Sequence, residues 1–459
     1  MVPPAGRLLA ALLGGGLLLT ACAPPAPSPS AAPSVAASTS ASAAPSLGIG
    51  QVVPAPGSTS AIYQPNPGAI VVAIDPGHGG CLDWGAPDPR GRGSAFSEKA
   101  MTLAIGLELK QLLEVQGITV VMTRSTDVAL AGDDYPALGC HGAPFRDVNG
   151  DGATGFDPEG KTRTRDELQA RLDLVNLARA DLLVSIHINS ITQNGVAFEI
   201  AATQTYYTDE TPWGVSATQR LAQQVQDGVV AALHPLAAYE RQDRGISATN
   251  LYIVAPPLFV TTPDRPDPVK QPIRGALMPA LLTEVGSITL PAEQDLLLSA
   301  AGQTAAAQGI ATALGAYFAD RPSAVRYDAL VPLGTAGRVS DPHGDSGPPY
   351  RAAALSHASR PVRVPIRLTN VGSQAWPPGL RLLAGWGQSD QPYLRQAPDL
   401  LTDLNLAIPQ LAPGESVELL ARIDVPAADR EILWITLANG GTPLTDLGSA
   451  PLQLATQGP

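Results

Sequence analysis

The chain has 459 residues, with 29 Lys+Arg against 41 Asp+Glu, and its 45 Gly and 45 Pro predict long loops and linkers. Its length gives a prior of roughly three structural units and excludes one small domain. A net charge of −12 without a basic block excludes nucleic acid as a partner and offers nothing to anionic lipid headgroups. The 3 cysteines include no close pair, which excludes a disulfide-built scaffold and a thiolate zinc site, so any metal must use His and carboxylates.

Residues 1–22 read as an export signal. Arg7 is their only charged side chain, and the apolar run from Leu8 to Leu19 is interrupted by three glycines. A bilayer span needs about 20 apolar residues in a helix, so this stretch is too short and should be removed. Leu19-Thr20-Ala21-Cys22 resembles the lipobox of bacterial lipoproteins. The resemblance implies cleavage before Cys22 and lipid attachment to its sulfur, with an ordinary secretory peptide as the alternative. Several acyl chains on one residue anchor stably where a single chain does not. The expected location is the cell envelope, exported and lipid-anchored to the outer face of a bacterial membrane. Residues 23–68 are almost wholly Ala, Pro, Ser and Thr without apolar periodicity, and are read as a disordered tether.

Residues 69–320 alternate between strand and helix patterns. Ala69 to Ile74 is a buried-strand run, and a helix from Ser97 to Gln116 follows through Met101, Ile105, Leu109 and Leu112. Further strands are expected at 118–122, 182–186, 197–201, 251–254 and 280–285. Helices are expected around Leu168 to Val175, at 216–233 and at 300–318. The order predicts an α/β fold, a largely parallel sheet flanked by helices.

The reactive side chains fall at the ends of these elements. His78 follows the first strand, Glu98 opens the first helix, His187 ends the third strand and Glu284 lies near the end of the last. In an open parallel sheet, sites form at the carboxyl edge of the strands, so the four can converge. Two imidazoles and a carboxylate are a zinc set that leaves one position for water, and a second carboxylate is the general base that such water requires.

Asp75-Pro76-Gly77-His78-Gly79-Gly80, Glu98-Lys99, Ser185-Ile186-His187-Ile188-Asn189 and Leu282-Thr283-Glu284-Val285-Gly286 occur in that order. Together they resemble the zinc-dependent N-acetylmuramoyl-L-alanine amidases of the amidase 3 family. The resemblance implies that His78, Glu98 and His187 bind Zn2+ and that Glu284 is the catalytic carboxylate. It also implies peptidoglycan as substrate, cleaved at the amide between N-acetylmuramic acid and L-alanine. After the catalytic Glu-x-Gly, family members commonly continue with an apolar aromatic and an Asn. Here the run is Gly286-Ser287-Ile288-Thr289-Leu290.

Asp147-Val148-Asn149-Gly150-Asp151-Gly152 matches the first half of a calcium loop, so Asp147, Asn149 and Asp151 are candidate Ca2+ ligands. Position twelve is Pro158, however, and an Asx-rich turn is the competing reading. Cys81 and Cys140 lie in the loops after the first two strands, where an exported protein can bond them. Residues 131–163 and the polar, Pro-rich stretch Thr261 to Arg274 read as insertions, the second a possible lid or partner contact.

Residues 325–457 change to strand patterns. Val362, Val364, Ile366 and Leu368 alternate with polar neighbours or Pro, as do Val417, Leu419, Ala421 and Ile423 with their neighbours, and strands are expected at 380–384 and 432–437. An all-β sandwich is expected. Leu368 to Pro377, with Leu411-Ala412-Pro413-Gly414-Glu415, resembles Ig-like domains appended to bacterial surface proteins. Such a unit can contact a protein partner. Trp376, Trp386 and Trp434 are candidates for a sugar platform, with core packing as the alternative, above all for Trp434. The competing reading of the whole chain is a catalytically inactive wall-binding lipoprotein that keeps the fold.

Overall fold

The computed structural model describes residues 70–148, 154, 163–193, 196–211, 213–255, 275–330, 354–356, 362–388, 400–423 and 431–457. The export signal with Cys22, the tether, Asn149, Asp151 and residues 261–274 lie outside them.

Strands β1 (Val71–Pro76), β2 (Thr119–Met122), β3 (Leu182–Asn189), β4 (Ala201–Tyr207), β5 (Arg241–Ala248) and β6 (Ala280–Ser287) form one sheet in the order β2-β1-β3-β6-β4-β5. Pairings β1/β2, β1/β3, β3/β6 and β4/β5 are parallel, and β4/β6 is antiparallel. The predicted sheet is thus largely parallel, with one reversal. Helices α1 (Glu98–Val115), α2 (Arg163–Leu177), α3 (Val215–Leu233), α4 (Pro291–Leu298) and α5 (Ala300–Ala319) complete this part.

Every residue of β1 is buried. That burial explains its unbroken apolar run, since strands covered on both faces need no polar alternation. On one face Val72, Ile74 and Ile186 pack with Met101, Ile105 and Leu109 of α1, Leu221 and Val225 of α3, and Ile310 and Leu314 of α5. On the other face Val71, Ala73, Leu183 and Leu282 pack with Leu172 and Val175 of α2 and with the Tyr252–Ala255 segment. Burying one such aliphatic side chain contributes about 1.5–3 kcal/mol. The apolar stripe of α1, repeating every four residues, is therefore sufficient to fix that helix on the sheet.

Two expected elements differ and one is added. Residues 251–254 form a turn, not a strand, and their apolar side chains plug the second core. The polar strand β5 at the sheet edge takes the place expected of them. The strand expected at 197–201 begins at Ala201 instead, after two short paired strands at Thr192–Gln193 and Val196–Ala197. Helix α4 is an addition to the expected elements, although Pro291 is suited to a first helical turn.

Beyond α5, β7 (Val325–Ala329), β8 (Val362–Asn370), β9 (Arg381–Gln388), β10 (Ser416–Ile423), β11 (Glu431–Asn439) and β12 (Leu452–Gln457) build two sheets. One is ordered β10-β8-β7, and the other contains β12-β11-β9. Val364, Ile366 and Leu368 of the first meet Leu382, Leu433 and Ile435 of the second in one core, which is the expected sandwich. Trp376 is 1% and Trp434 3% exposed, so neither can serve as a sugar platform. The sandwich is docked on the α/β part. Arg326 pairs with Asp181 at 3.3 Å, Arg179 pairs with Asp328, Arg321 donates to the carbonyl of Gly448, and Trp213 packs on Trp434. No helix among the described residues is long and apolar enough to cross a membrane.

Candidate metal centre

The chain leaves β1 through Gly77 and His78, and His78 adopts φ 61°, a left-handed conformation that L side chains rarely take. Two buried guanidinium groups hold that turn. Arg171 donates to the carbonyls of Pro76 at 2.8 Å and His78 at 2.6 Å, and Arg124 donates to those of Pro76 and Gly77, both at 2.9 Å. Arg171 is neutralised by Asp75 and Glu167, at 2.8 and 2.7 Å. Burial opposes ionisation of Asp75, but Arg171 and hydrogen bonds from Thr123 and Ser185 keep its pKa below the ordinary carboxylate value. Gly77 admits no side chain, because a Cβ there would lie 2.5 Å from the His187 ring.

Glu98 is the first residue of α1, where the positive end of the helix favours an anion. Its carboxylate accepts from the backbone N–H of Ala86 at 2.7 Å and of Ile188 at 2.9 Å. The same carboxylate lies 3.2 Å from His78 Nε2 and 3.0 Å from His187 Nδ1. Asp83 Oδ1 lies 2.8 Å from the remaining nitrogen of His78, Nδ1. The two imidazoles meet edge to face with centroids 4.9 Å apart. One ligand atom from each of His78, Glu98 and His187 falls within 4.8 Å of the others.

Burial works against charge on both sides of this cluster, yet the partners prevail. For His78, Glu98 and Asp83 raise the pKa well above the ordinary imidazole value. For Glu98, His78 and His187 lower it well below the ordinary carboxylate value. Three donor groups of types that bind zinc, one anionic and two neutral when metallated, therefore fit a divalent ion with a position left for water. The hydrogen bond to Asp83 is of the kind that fixes a ligand imidazole's tautomer.

Glu284 lies on β6 directly opposite His187 on β3. Its Oε2 is buried without a hydrogen-bond partner. Its pKa is pushed up to about 8, first by burial and then by the charge of Glu98, with His78 acting in the opposite direction. Leaving a carboxyl oxygen unsatisfied is costly, and an arrangement that does so beside a set of metal-capable side chains suits proton transfer. The four residues expected to converge do so. Asp83, Arg124 and Arg171 join them without having stood out in the sequence.

Of the three calcium candidates, only Asp147 is among the described residues, and the single metal-capable group found there is His78, Glu98 and His187. Calcium gains no support. Cys81 and Cys140 are bonded, with Cα atoms 5.7 Å apart. In the run after Gly286, Ser287 and Thr289 bond each other at 2.8 Å, and Thr289 donates to the carbonyl of Phe198.

A donor set of this kind with an unpaired acid alongside suits metal-assisted hydrolysis. The family described as N-acetylmuramoyl-L-alanine amidase matches residues 72–316, over half of the chain, and the chain belongs to that family. The germination-specific N-acetylmuramoyl-L-alanine amidase of Bacillus subtilis is 24% identical over 251 residues, covering 55% of this chain and 81% of its own. The sporulation-specific amidase of the same organism is 35% identical over 94 residues, 19% of this chain and 34% of its own. Among solved structures, an N-acetylmuramoyl-L-alanine amidase from Clostridium difficile 630 is 27% identical, with 55% of this chain and 97% of that one covered and a TM-score of 0.37.

Proposed function

We propose that this chain hydrolyses the amide bond between N-acetylmuramic acid and L-alanine in peptidoglycan, with His78, Glu98 and His187 holding zinc and Glu284 carrying the proton. The observation that carries this reading is the buried, unpartnered Oε2 of Glu284 in register with His187, one of three donors gathered within 4.8 Å. Bound zinc supplies Lewis acidity that polarises the scissile carbonyl and acidifies water. Glu98, fixed by two backbone N–H groups, and His78, oriented by Asp83, hold their ligand atoms in place. Glu284 Oε2 takes a proton from the attacking water and passes it to the departing nitrogen of L-alanine, so the glycan keeps the carboxyl group and the stem peptide leaves as an amine.

In this reading residues 69–320 are the catalytic unit and 325–457 an Ig-like accessory unit. Residues 1–22 export the chain, Cys22 carries the lipid, and residues 23–68 tether the enzyme at the outer face of a membrane. Its partners are peptidoglycan, that membrane and a protein contacted by the sandwich. Retention of all four site residues favours turnover over an inactive wall-binding role. Purified peptidoglycan digested with zinc supplied should release free stem peptides, and Glu284→Ala should abolish the release while wall binding persists. Intact peptidoglycan after incubation with zinc-loaded protein would refute the assignment.

A further inference from the structure

Strand registers extend the active row past Glu284. His187 stands opposite Glu284 across β3 and β6, and Gln204 stands opposite Glu284 across β4 and β6. Residues in register on neighbouring strands project from the same face. Imidazole, carboxylate and amide therefore stand side by side.

The next position outward is irregular. Thr203 pairs with Asp243 but Thr205 pairs with Ile246, so Arg244 and Gly245 together oppose Gln204. Bulges of this kind re-aim a side chain next to an active site. Gly245, at φ 66°, supplies the left-handed backbone that the extra residue needs. Arg244 is exposed and forms no ion pair among the described residues. The phenol pKa of Tyr206 is raised by burial and by the charge of Glu284, with Arg244 acting in the opposite direction. The Tyr206 hydroxyl donates to Gln204 Oε1 at 3.0 Å, which leaves the Gln204 amide nitrogen as the donor.

We propose that Gln204 and Arg244 form the subsite for the leaving peptide, Arg244 binding a free carboxylate on the residue after L-alanine and Gln204 donating to a peptide carbonyl. The proposal rests on the hydrolase reading above and specifies its substrate as an acidic stem peptide. Strands lie about 4.8 Å apart, so the backbone of Arg244 is roughly 10 Å from that of Glu284. The residue after L-alanine begins about 3.5 Å beyond the scissile nitrogen, and the long arginine side chain spans the rest. An acidic peptide approaching Glu98 and Glu284 needs a compensating cation at its own end. Arg244 supplies one, and its guanidinium can take a carboxylate through two parallel hydrogen bonds. The row also sets polarity, with the glycan over the His187 side and the peptide running toward β5.

The test compares two probes, N-acetylmuramoyl-L-alanyl-D-glutamic acid and its α-amidated counterpart. Calorimetry reads their binding to zinc-loaded Glu284→Gln protein, and kcat/KM is measured with the parent protein. The acidic probe should bind about 10- to 100-fold more tightly than the amide. Arg244→Gln should bring that ratio to about one, Arg244→Lys should retain most of it, and Arg244→Glu should invert it, with one zinc per chain in each variant. Gln204→Ala should weaken both probes alike. Equal binding of the two probes by the parent, or an unchanged ratio in Arg244→Gln, would overturn the subsite. Binding preference without hydrolysis would support the subsite and refute the hydrolase reading, whereas hydrolysis without preference would refute the subsite alone.

Discussion

Asp83 Oδ1 stands 2.8 Å from His78 Nδ1, on the side of the ring away from Glu98. When Nδ1 carries the hydrogen and donates it to Asp83, the Nε2 lone pair is left for a metal. Asp83→Ala should weaken zinc binding about 10- to 100-fold in a chelator competition, with little change in the fold by circular dichroism. Unchanged affinity would show that the backbone turn alone orients His78.

Glu284 makes the metal-free protein pH-sensitive in a defined direction. Its folded pKa of about 8 lies above the ordinary 4.5. Below the lower value both states hold the proton and the site contributes no pH dependence. Between the two, the unfolded chain ionises while the folded site resists, so stability falls as pH rises through that window. Glu284→Gln removes that loss, which is on the order of 4 kcal/mol at pH 8. The variant should therefore melt higher than the parent at pH 8 when both are chelator-treated, and differ little from it at pH 5. Scanning calorimetry at the two pH values checks this, and parallel curves for the two proteins would exclude it.

Gly77 separates β1 from the His187 ring with no room for a methyl group, since a Cβ on that backbone would lie 2.5 Å from the nearest ring atoms. Gly77→Ala should displace the imidazole, cost about 1–3 kcal/mol in stability and lower zinc affinity at least tenfold. Denaturant melts and zinc titration should move together. A stable variant with normal zinc uptake would show that the strand can shift at no cost.

The Cys81–Cys140 bond ties the metal loop to the segment after β2 across a sequence separation of 59. By loop-closure entropy such a bridge contributes about 4 kcal/mol. Replacing both cysteines by Ser should lower the melting temperature by on the order of 10 °C. Zinc affinity should fall as well, because Cys81 lies three residues beyond His78 and its N–H donates to Asp133. A variant with an unchanged melting temperature would remove the structural role.

Much of the centre was legible because its residues sit where apolar periodicity stops. His78, His187 and Glu284 end or nearly end buried strands, and Glu98 opens an amphipathic helix, so topology alone brings them to one edge. The supporting groups were not legible. Arg171 lies on α2 four residues after Glu167, a spacing that also describes any exposed helix pair, and only the structure shows it 1% exposed. Arg124 gave no signal beyond following a strand. Strand β5 escaped notice because an edge strand with Gln242, Asp243 and Arg244 exposed has no apolar alternation, while the apolar Leu251–Val254 run imitated one.

The sandwich grips the α/β part at Asp181, one residue before β3 begins, whereas His187 lies near the far end of that strand. About 3.3 Å per residue puts some 20 Å between the grip and His187. Trp213, following the reversed strand β4, marks the same rear edge. The described residues of the sandwich thus meet the α/β part at the back of the sheet, opposite the edge that holds His187, and a long cross-linked polymer can lie across that edge without touching these contacts.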